Sequence, residues 1–202
     1  MKKVKKGNHG YISYQKIRTL LITFLLFAVP ILIYVSGVIY FKTNLNVCTI
    51  IAAVGCIPAC KSLVSLIMIS MQRPISDQMT AEIAQMAPDL LIAYELVMTT
   101  YEHTYPVNAL AICGTQVVAY TPDEKAVPAE LEKHLTRILT VNGLPQAQPK
   151  VMKDYKKFLQ RIHDLNQKCN QLRDGIEFTP DSRYPDLGFE ELIYHNMLAI
   201  SL

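Results

Sequence analysis

Two apolar runs near the N-terminus constrain this chain more than any other feature. Residues 20–41 carry no charge, and residues 45–71 follow after the triplet Lys42-Thr43-Asn44. At a rise of about 1.5 Å per residue the first run makes a helix of about 33 Å, enough for a hydrocarbon core of about 30 Å. A soluble core helix rarely reaches that length without a polar face. Pro30 falls mid-run, where membrane helices tolerate a kink. The second run is uncharged to Cys60, interrupted by Lys61, and apolar again from Ser62 to Met71. A lysine at the bilayer centre is costly and prefers to snorkel toward an interface. The spacing therefore predicts spans at 20–41 and about 44–61, with the helix continuing to 71. The alternative is one long tilted span to Met71 that keeps Lys61 against the first helix. Ala52, Gly55 and Ala59 have the small-residue spacing of close helix contact, a spacing that ordinary small membrane residues share.

Charge orients the hairpin. Lys2, Lys3, Lys5, Lys6, Lys16 and Arg18 precede the first run, whereas the turn carries only Lys42. The positive-inside bias then predicts a multi-pass membrane protein with the turn outside and both termini cytoplasmic. The six N-terminal cations, with Lys61 and Arg73, are the expected membrane-interface residues, facing anionic head groups. A cleaved signal peptide does not fit: the apolar run is too long, no A-x-A-like site follows it, and a second span comes at once.

The remaining residues have the opposite charge. Residues 1–76 hold 9 Lys/Arg and no acid; residues 77–202 hold 11 Lys/Arg and 17 Asp/Glu, a net charge of −6. An acidic domain argues against generic nucleic-acid binding, which needs a basic surface. The expected organisation is a basic tail over 1–19, the hairpin over 20–73 and one small cytosolic domain over 74–202. A fragment starting near Ser76 is expected to close one core. Of five cysteines, Cys48, Cys56 and Cys60 fall in the second run, and Cys113 and Cys169 fall in the domain. A reducing compartment argues against a disulfide framework. Cys56-x-x-x-Cys60 shares a helix face, but two thiols are too few for a metal, and packing is the stronger reading.

Along the domain, Ser76-Asp77 starts a helix that breaks at Pro88. Residues 90–101 read as a strand, with a helix over Ala93–Met98 as the alternative; residues 105–113 and 115–120 read as two more strands, joined at Gly114 in a tight hairpin. Both of these are nearly continuous apolar runs, as expected of a sheet covered on at least one face. Pro128 opens a helix with Leu131, Leu135, Ile138 and Leu139 inward, closed by Asn142-Gly143. Residues 146–152 form a short strand that Pro149 confines to an edge. Asp154 caps the next helix, over 154–173. Its seam of Tyr155, Phe158, Ile162, Leu165, Cys169 and Leu172 is too short for a coiled coil and is expected to lie on the sheet. A last amphipathic helix covers 188–200. The fold class is α/β (α+β): a transmembrane hairpin, then α-β-β-β-α-β-α-α.

The order α-β-β-β-α-β resembles the restriction-endonuclease-like core. That resemblance implies a Pro-Asp element and an acid-x-Lys triplet that together hold magnesium. The corresponding residues are Pro88-Asp89 and Asp123-Glu124-Lys125. The strands meant to carry the acids are apolar, and the triplet falls in a turn, so the preferred reading has no catalytic set. Asp89, Asp123 and Lys125 are kept as the alternative. His103 and Cys113 suggest a thiol nucleophile only if hydrogen-bonded to each other. The histidines show no metal-ligand spacing, neither a phosphate loop nor a dinucleotide loop occurs, and no cofactor is expected. Lys150, Lys153, Lys156, Lys157 and Arg161 cluster at one helix start, either as a solvated face or toward an acidic surface.

Several stretches carry a further resemblance. These are Lys5-Lys6-Gly7-Asn8 with Gly10-Tyr11 and Tyr14, Pro58-Ala59-Cys60-Lys61 with Val64, and Ala119-Tyr120-Thr121. Leu131-Glu132-Lys133-His134-Leu135 and Lys157-Phe158-Leu159-Gln160-Arg161 complete the set. With them the chain resembles, to about Asn170, an uncharacterised family of small two-span membrane proteins from Gram-positive anaerobes. No motif of that family is diagnostic of an activity, although members are sometimes labelled transferase-like. The functional expectation is a non-catalytic, membrane-anchored binding or assembly module. A protein partner or self-association would use the helices over 154–173 and 188–200. The alternative is a membrane-tethered enzyme, either a degenerate nuclease-like hydrolase or a transferase.

Overall fold

The structure, a computed structural model, describes residues 3–100, 103–176, 178 and 183–201. It divides into two compact bodies: Met1–Tyr11 together with Pro74–Leu202, and Ile12–Arg73. The N-terminal tail thus groups with the α+β domain and not with the hairpin.

The hairpin body consists of α1 (Tyr11–Phe41) and α2 (Val47–Met71). Helix α1 starts well ahead of Leu20, because the stretch after Gly10 contains neither Pro nor Gly to stop it. Helix α2 passes through Lys61 without a break. Asn46 caps α2, its side chain accepting from the Thr49 amide at 3.0 Å. Small residues line the seam: Ala52 and Ala59 are buried, and a side chain at Gly55 would meet Pro30. The Thr23 and Ser62 hydroxyls pair across it at 2.7 Å. The large apolar side chains point outward, with Phe24 75% and Ile57 68% exposed. Both helices are long and apolar enough to cross a membrane, and only 17% and 11% of their most apolar windows is buried.

The domain begins with α3 (Asp77–Met86), capped by Ser76, and continues into β1 (Leu91–Thr99), β2 (Thr104–Cys113) and β3 (Gln116–Tyr120). These strands pair antiparallel in sequence order. Helix α4 (Pro128–Val141) then crosses to β4 (Gln148–Met152), which lies parallel to β3 at the far edge. Helices α5 (Tyr155–Gln167), α6 (Cys169–Arg173) and α7 (Phe189–Ile200) follow.

The sheet is buried on both faces. One core joins it to α4 and α7 through Leu131, Leu135, Leu139, Ile193 and Met197. The other joins it to α3 and α5 through Ile83, Phe158, Ile162 and Leu165. That explains the continuous apolar runs of β2 and β3. The predicted seam of α5 lies in the second core. The single predicted helix over 154–173 is two helices, parted at Lys168, where the chain turns without a Pro or Gly to mark the break.

Both sheet edges are closed to further strands. At β4, Pro149 has no N–H, and the Val151 N–H donates to Glu132 Oε1 at 2.9 Å. At β1, the Tyr94 N–H donates to the Gly7 carbonyl at 2.7 Å, and Met98 bridges Ser201.

Candidate functional site

The site begins with a defect in the sheet. Strands β1 and β2 pair regularly on either side of Glu95 and Asn108, and those two residues are left out of the pairing. Ala93 and Leu96 nevertheless share one core, as do Val107 and Leu110, so both strands exchange faces at this level. Glu95 has φ +55°, a left-handed conformation that costs a non-glycine residue about 1–3 kcal/mol. It is 2% exposed and Asn108 is 8% exposed. A buried carboxylate in a strained backbone at mid-sheet is held there by its surroundings, and the N-terminal segment supplies part of them.

Residues Lys5 to Gly10 form a strap along β1. Gly7 and Gly10 have φ of +86° and +83°, conformations that favour glycine. Gly7 is buried, and a Cβ there would sit 2.6 Å from the Tyr194 hydroxyl and 2.8 Å from Leu198 Cδ2. The Lys6 ammonium donates to the Ser201 carbonyl, and burial pushes Lys6 below the ordinary lysine range. His9 is the centre of the cluster. Its Nε2 lies 2.6 Å from Asp77 Oδ1, and its Nδ1 lies 3.2 Å from Thr80 Oγ1 and 3.7 Å from Glu95 Oε1. The ring therefore stands between an open carboxylate, Asp77 at 97% side-chain exposure, and a closed one, Glu95 at 0%. The two carboxylates use different ring nitrogens, which suits bridging and not shared metal ligation. Among the described residues no group of three His, Cys, Asp or Glu is placed to hold a metal ion.

The sequence reading did not single out His9, Asp77 or Glu95 as a group. Two signals were present: Glu95 is the one charge in an otherwise uncharged strand run, and two glycines bracket Asn8-His9.

The nuclease-like residues are not brought together. Asp89 precedes β1 at the end of the sheet that holds the β2–β3 turn, where Leu91 pairs with Ile112. Asp123 follows β3 at the other end. Asp89 is tied to Asn166, which accepts its N–H at 3.0 Å, and its carbonyl accepts from Arg173 at 3.0 Å. Asp123 Oδ1 accepts from the Lys125 amide at 2.9 Å, a local turn contact. His103 and Cys113 lie at opposite ends of β2, about 30 Å apart at the strand rise.

Of the expected interface residues, Lys3, Lys5, Arg18, Lys61 and Arg73 are exposed; Lys2 lies outside the described residues. Two are already engaged. Lys6 belongs to the strap, and Lys16 Nζ donates to the Gln72 carbonyl at the end of α2, 2.6 Å away. The basic cluster near α5 is also partly engaged. Lys153 donates to the Glu124 and Ala126 carbonyls, Lys150 pairs with Glu132 at 3.2 Å, and Arg161 donates to Gln116. Lys156 and Lys157 remain exposed.

Two further polar groups sit inside the domain. Cys113 is buried beside Cys169; burial and the neighbouring thiol push the Cys113 thiol up to about 12. A thiol so placed is a poor nucleophile at neutral pH. Tyr155 donates to Glu82 at 2.9 Å, and burial together with that carboxylate raises its phenol. At the start of α7, Arg173 forks onto Glu190 beside a cleft of about 470 Å³ lined partly by Phe178 and Phe189.

No protein-family model matches the chain, and neither curated proteins nor solved structures give a match.

Proposed function

We propose that this is a two-span protein of a bacterial cell membrane, with both termini cytoplasmic, whose α+β domain is a non-catalytic binding or assembly module. The observation that supports this most is the hairpin. It turns large apolar side chains outward along two helices, a surface that belongs in lipid and not in water. Residues 12–73 carry five Lys/Arg and no acid, and four of the five, Lys16, Arg18, Lys61 and Arg73, lie away from the turn, which suits anionic head groups at the cytoplasmic face. The apolar sides of α5 and α7 lie in the two cores. A protein partner would therefore meet outer faces such as Lys156, Lys157, Gln160 and Asp164 on α5, a polar surface of mixed charge.

The test is membrane retention followed by reversal of charge. The full chain should resist extraction by alkaline carbonate and by high salt, and should dissolve in detergent. Lys156→Glu with Lys157→Glu should leave membrane retention unchanged and abolish crosslinks to whatever the wild type contacts through α5. Release by carbonate would overturn the anchor. Unchanged crosslinks would overturn this face as the contact.

A further inference from the structure

We propose that the strap from Lys5 to Gly10 is a latch, with His9 as its catch, that opens and closes over the β1 edge while the rest of the domain stays folded. The latch joins the segments on either side of the hairpin. His9 lies just before the chain leaves the domain at Ile12, and Asp77 lies just after it returns at Pro74.

Three observations make the strap a movable part. Among the described residues its polar attachments are one backbone bond from Tyr94 to Gly7, the Lys6 contact to Ser201, and the His9 contacts to Asp77, Thr80 and Glu95, and its close packing is that of Gly7 against Tyr194 and Leu198. The shortest of the His9 contacts reaches a carboxylate that is almost fully in water, where a polar contact adds little stability. The strap also has a pivot at each side of the catch. Gly7 and Gly10 both hold positive φ, and nothing lies within 4 Å of where a Gly10 side chain would stand. What the strap covers gives opening a consequence. Releasing it frees the Tyr94 N–H on the β1 edge and uncovers the His9 side of the buried Glu95 carboxylate, the one strained non-glycine residue within the sheet among those described. An open latch therefore presents an unpaired strand edge beside a carboxylate, and a closed latch hides both. No strap residue belongs to either core; the strap meets the first only at its rim, where Gly7 sits against Tyr194 and Leu198.

The experiment uses the full chain in detergent micelles, with hydrogen exchange read by mass spectrometry and trypsin cleavage after Lys5 and Lys6. In the wild type, Tyr94 should be protected and the two lysines cut slowly. His9→Ala should speed exchange at Tyr94 at least tenfold and cleavage by a similar factor, while the amides of Leu110 and Ile112 keep their protection. Asp77→Asn, at an exposed position that does not threaten folding, should give a smaller change in the same direction. Unchanged Tyr94 exchange in both variants would overturn the proposal. Loss of protection at Leu110 and Ile112 in step with Tyr94 would overturn it too, by making the strap part of the core. Neither readout depends on the protein lying in a membrane, so failure of the anchor reading leaves this test intact.

Discussion

Comparing Gly7→Ala with Gly10→Ala separates backbone strain from contact at the strap. Both glycines have nearly the same positive φ, +86° and +83°, and an alanine in either place meets a left-handed penalty of about 1–2 kcal/mol. Their surroundings differ. At Gly7 the new methyl would lie 2.6 Å from the Tyr194 hydroxyl and 2.8 Å from Leu198 Cδ2; at Gly10 it meets nothing within 4 Å. Both atoms at Gly7 are the far ends of side chains that can give way, so the contact adds about 1 kcal/mol, the low end of what overpacking costs. Gly10→Ala should therefore destabilise the domain by about 1–2 kcal/mol and Gly7→Ala by about 2–3 kcal/mol. Thermal unfolding of the full chain in detergent, followed by near-ultraviolet dichroism of the buried tyrosines, reads both. At about 3–5 °C per kcal/mol for a domain of this size, Gly7→Ala should unfold at least 3 °C below Gly10→Ala. Equal shifts, or the larger shift at Gly10, would show that Tyr194 and Leu198 do not press on the strap and would refute the placement of Gly7 against α7.

Further outcomes are expected elsewhere. Phe158→Ala empties a fully buried site in the core under α5 and should cost about 3–5 kcal/mol in denaturant unfolding. Cys113, held up to about 12, should alkylate at pH 8 about a thousandfold more slowly than a cysteine introduced at the exposed Lys156; a comparable rate would mean that the thiol is open. Burial raises Tyr94, Tyr120, Tyr155 and Tyr194 as well as Cys113, so above about pH 9 the folded domain binds more protons than the unfolded chain. Stability should then fall as pH rises through 9 to 11. The lowered Lys6 contributes with the opposite sign and offsets only part of that loss. A fragment covering Pro74–Leu202 should unfold at lower denaturant than the same fragment with residues 3–11 joined to it, because only the second covers the β1 edge.

Periodicity made much of the fold legible. The apolar runs, the cap at Asp154, the Asn142-Gly143 stop and the edge-forming Pro149 each act locally, and each local rule agrees with the final packing. The strap was not legible, because its partners are distant in sequence. His9 meets Asp77 and Glu95 only after the whole hairpin has intervened, and no spacing rule spans that gap. Glu95 showed itself as a charge in an apolar strand, but its left-handed backbone and the exchange of faces at Asn108 arise from pairing β1 with β2. The acid-x-Lys triplet shows the converse. Its letters are in the chain, yet the sheet sends Asp89 and Asp123 to opposite ends. Lys6 and Lys16 read as free cations, but each reaches a carbonyl far along the chain.

The most direct measurement of the account is the side of the membrane on which the turn between α1 and α2 lies. In a variant with all five cysteines replaced by serine or alanine and Thr43→Cys added, a membrane-impermeant maleimide should label intact cells at once. A cysteine placed at the exposed Lys156 in the same background should react only after the cells are opened. Labelling of the Lys156 position in intact cells, or protection of the turn until lysis, would contradict a two-span anchor with both termini in the cytoplasm.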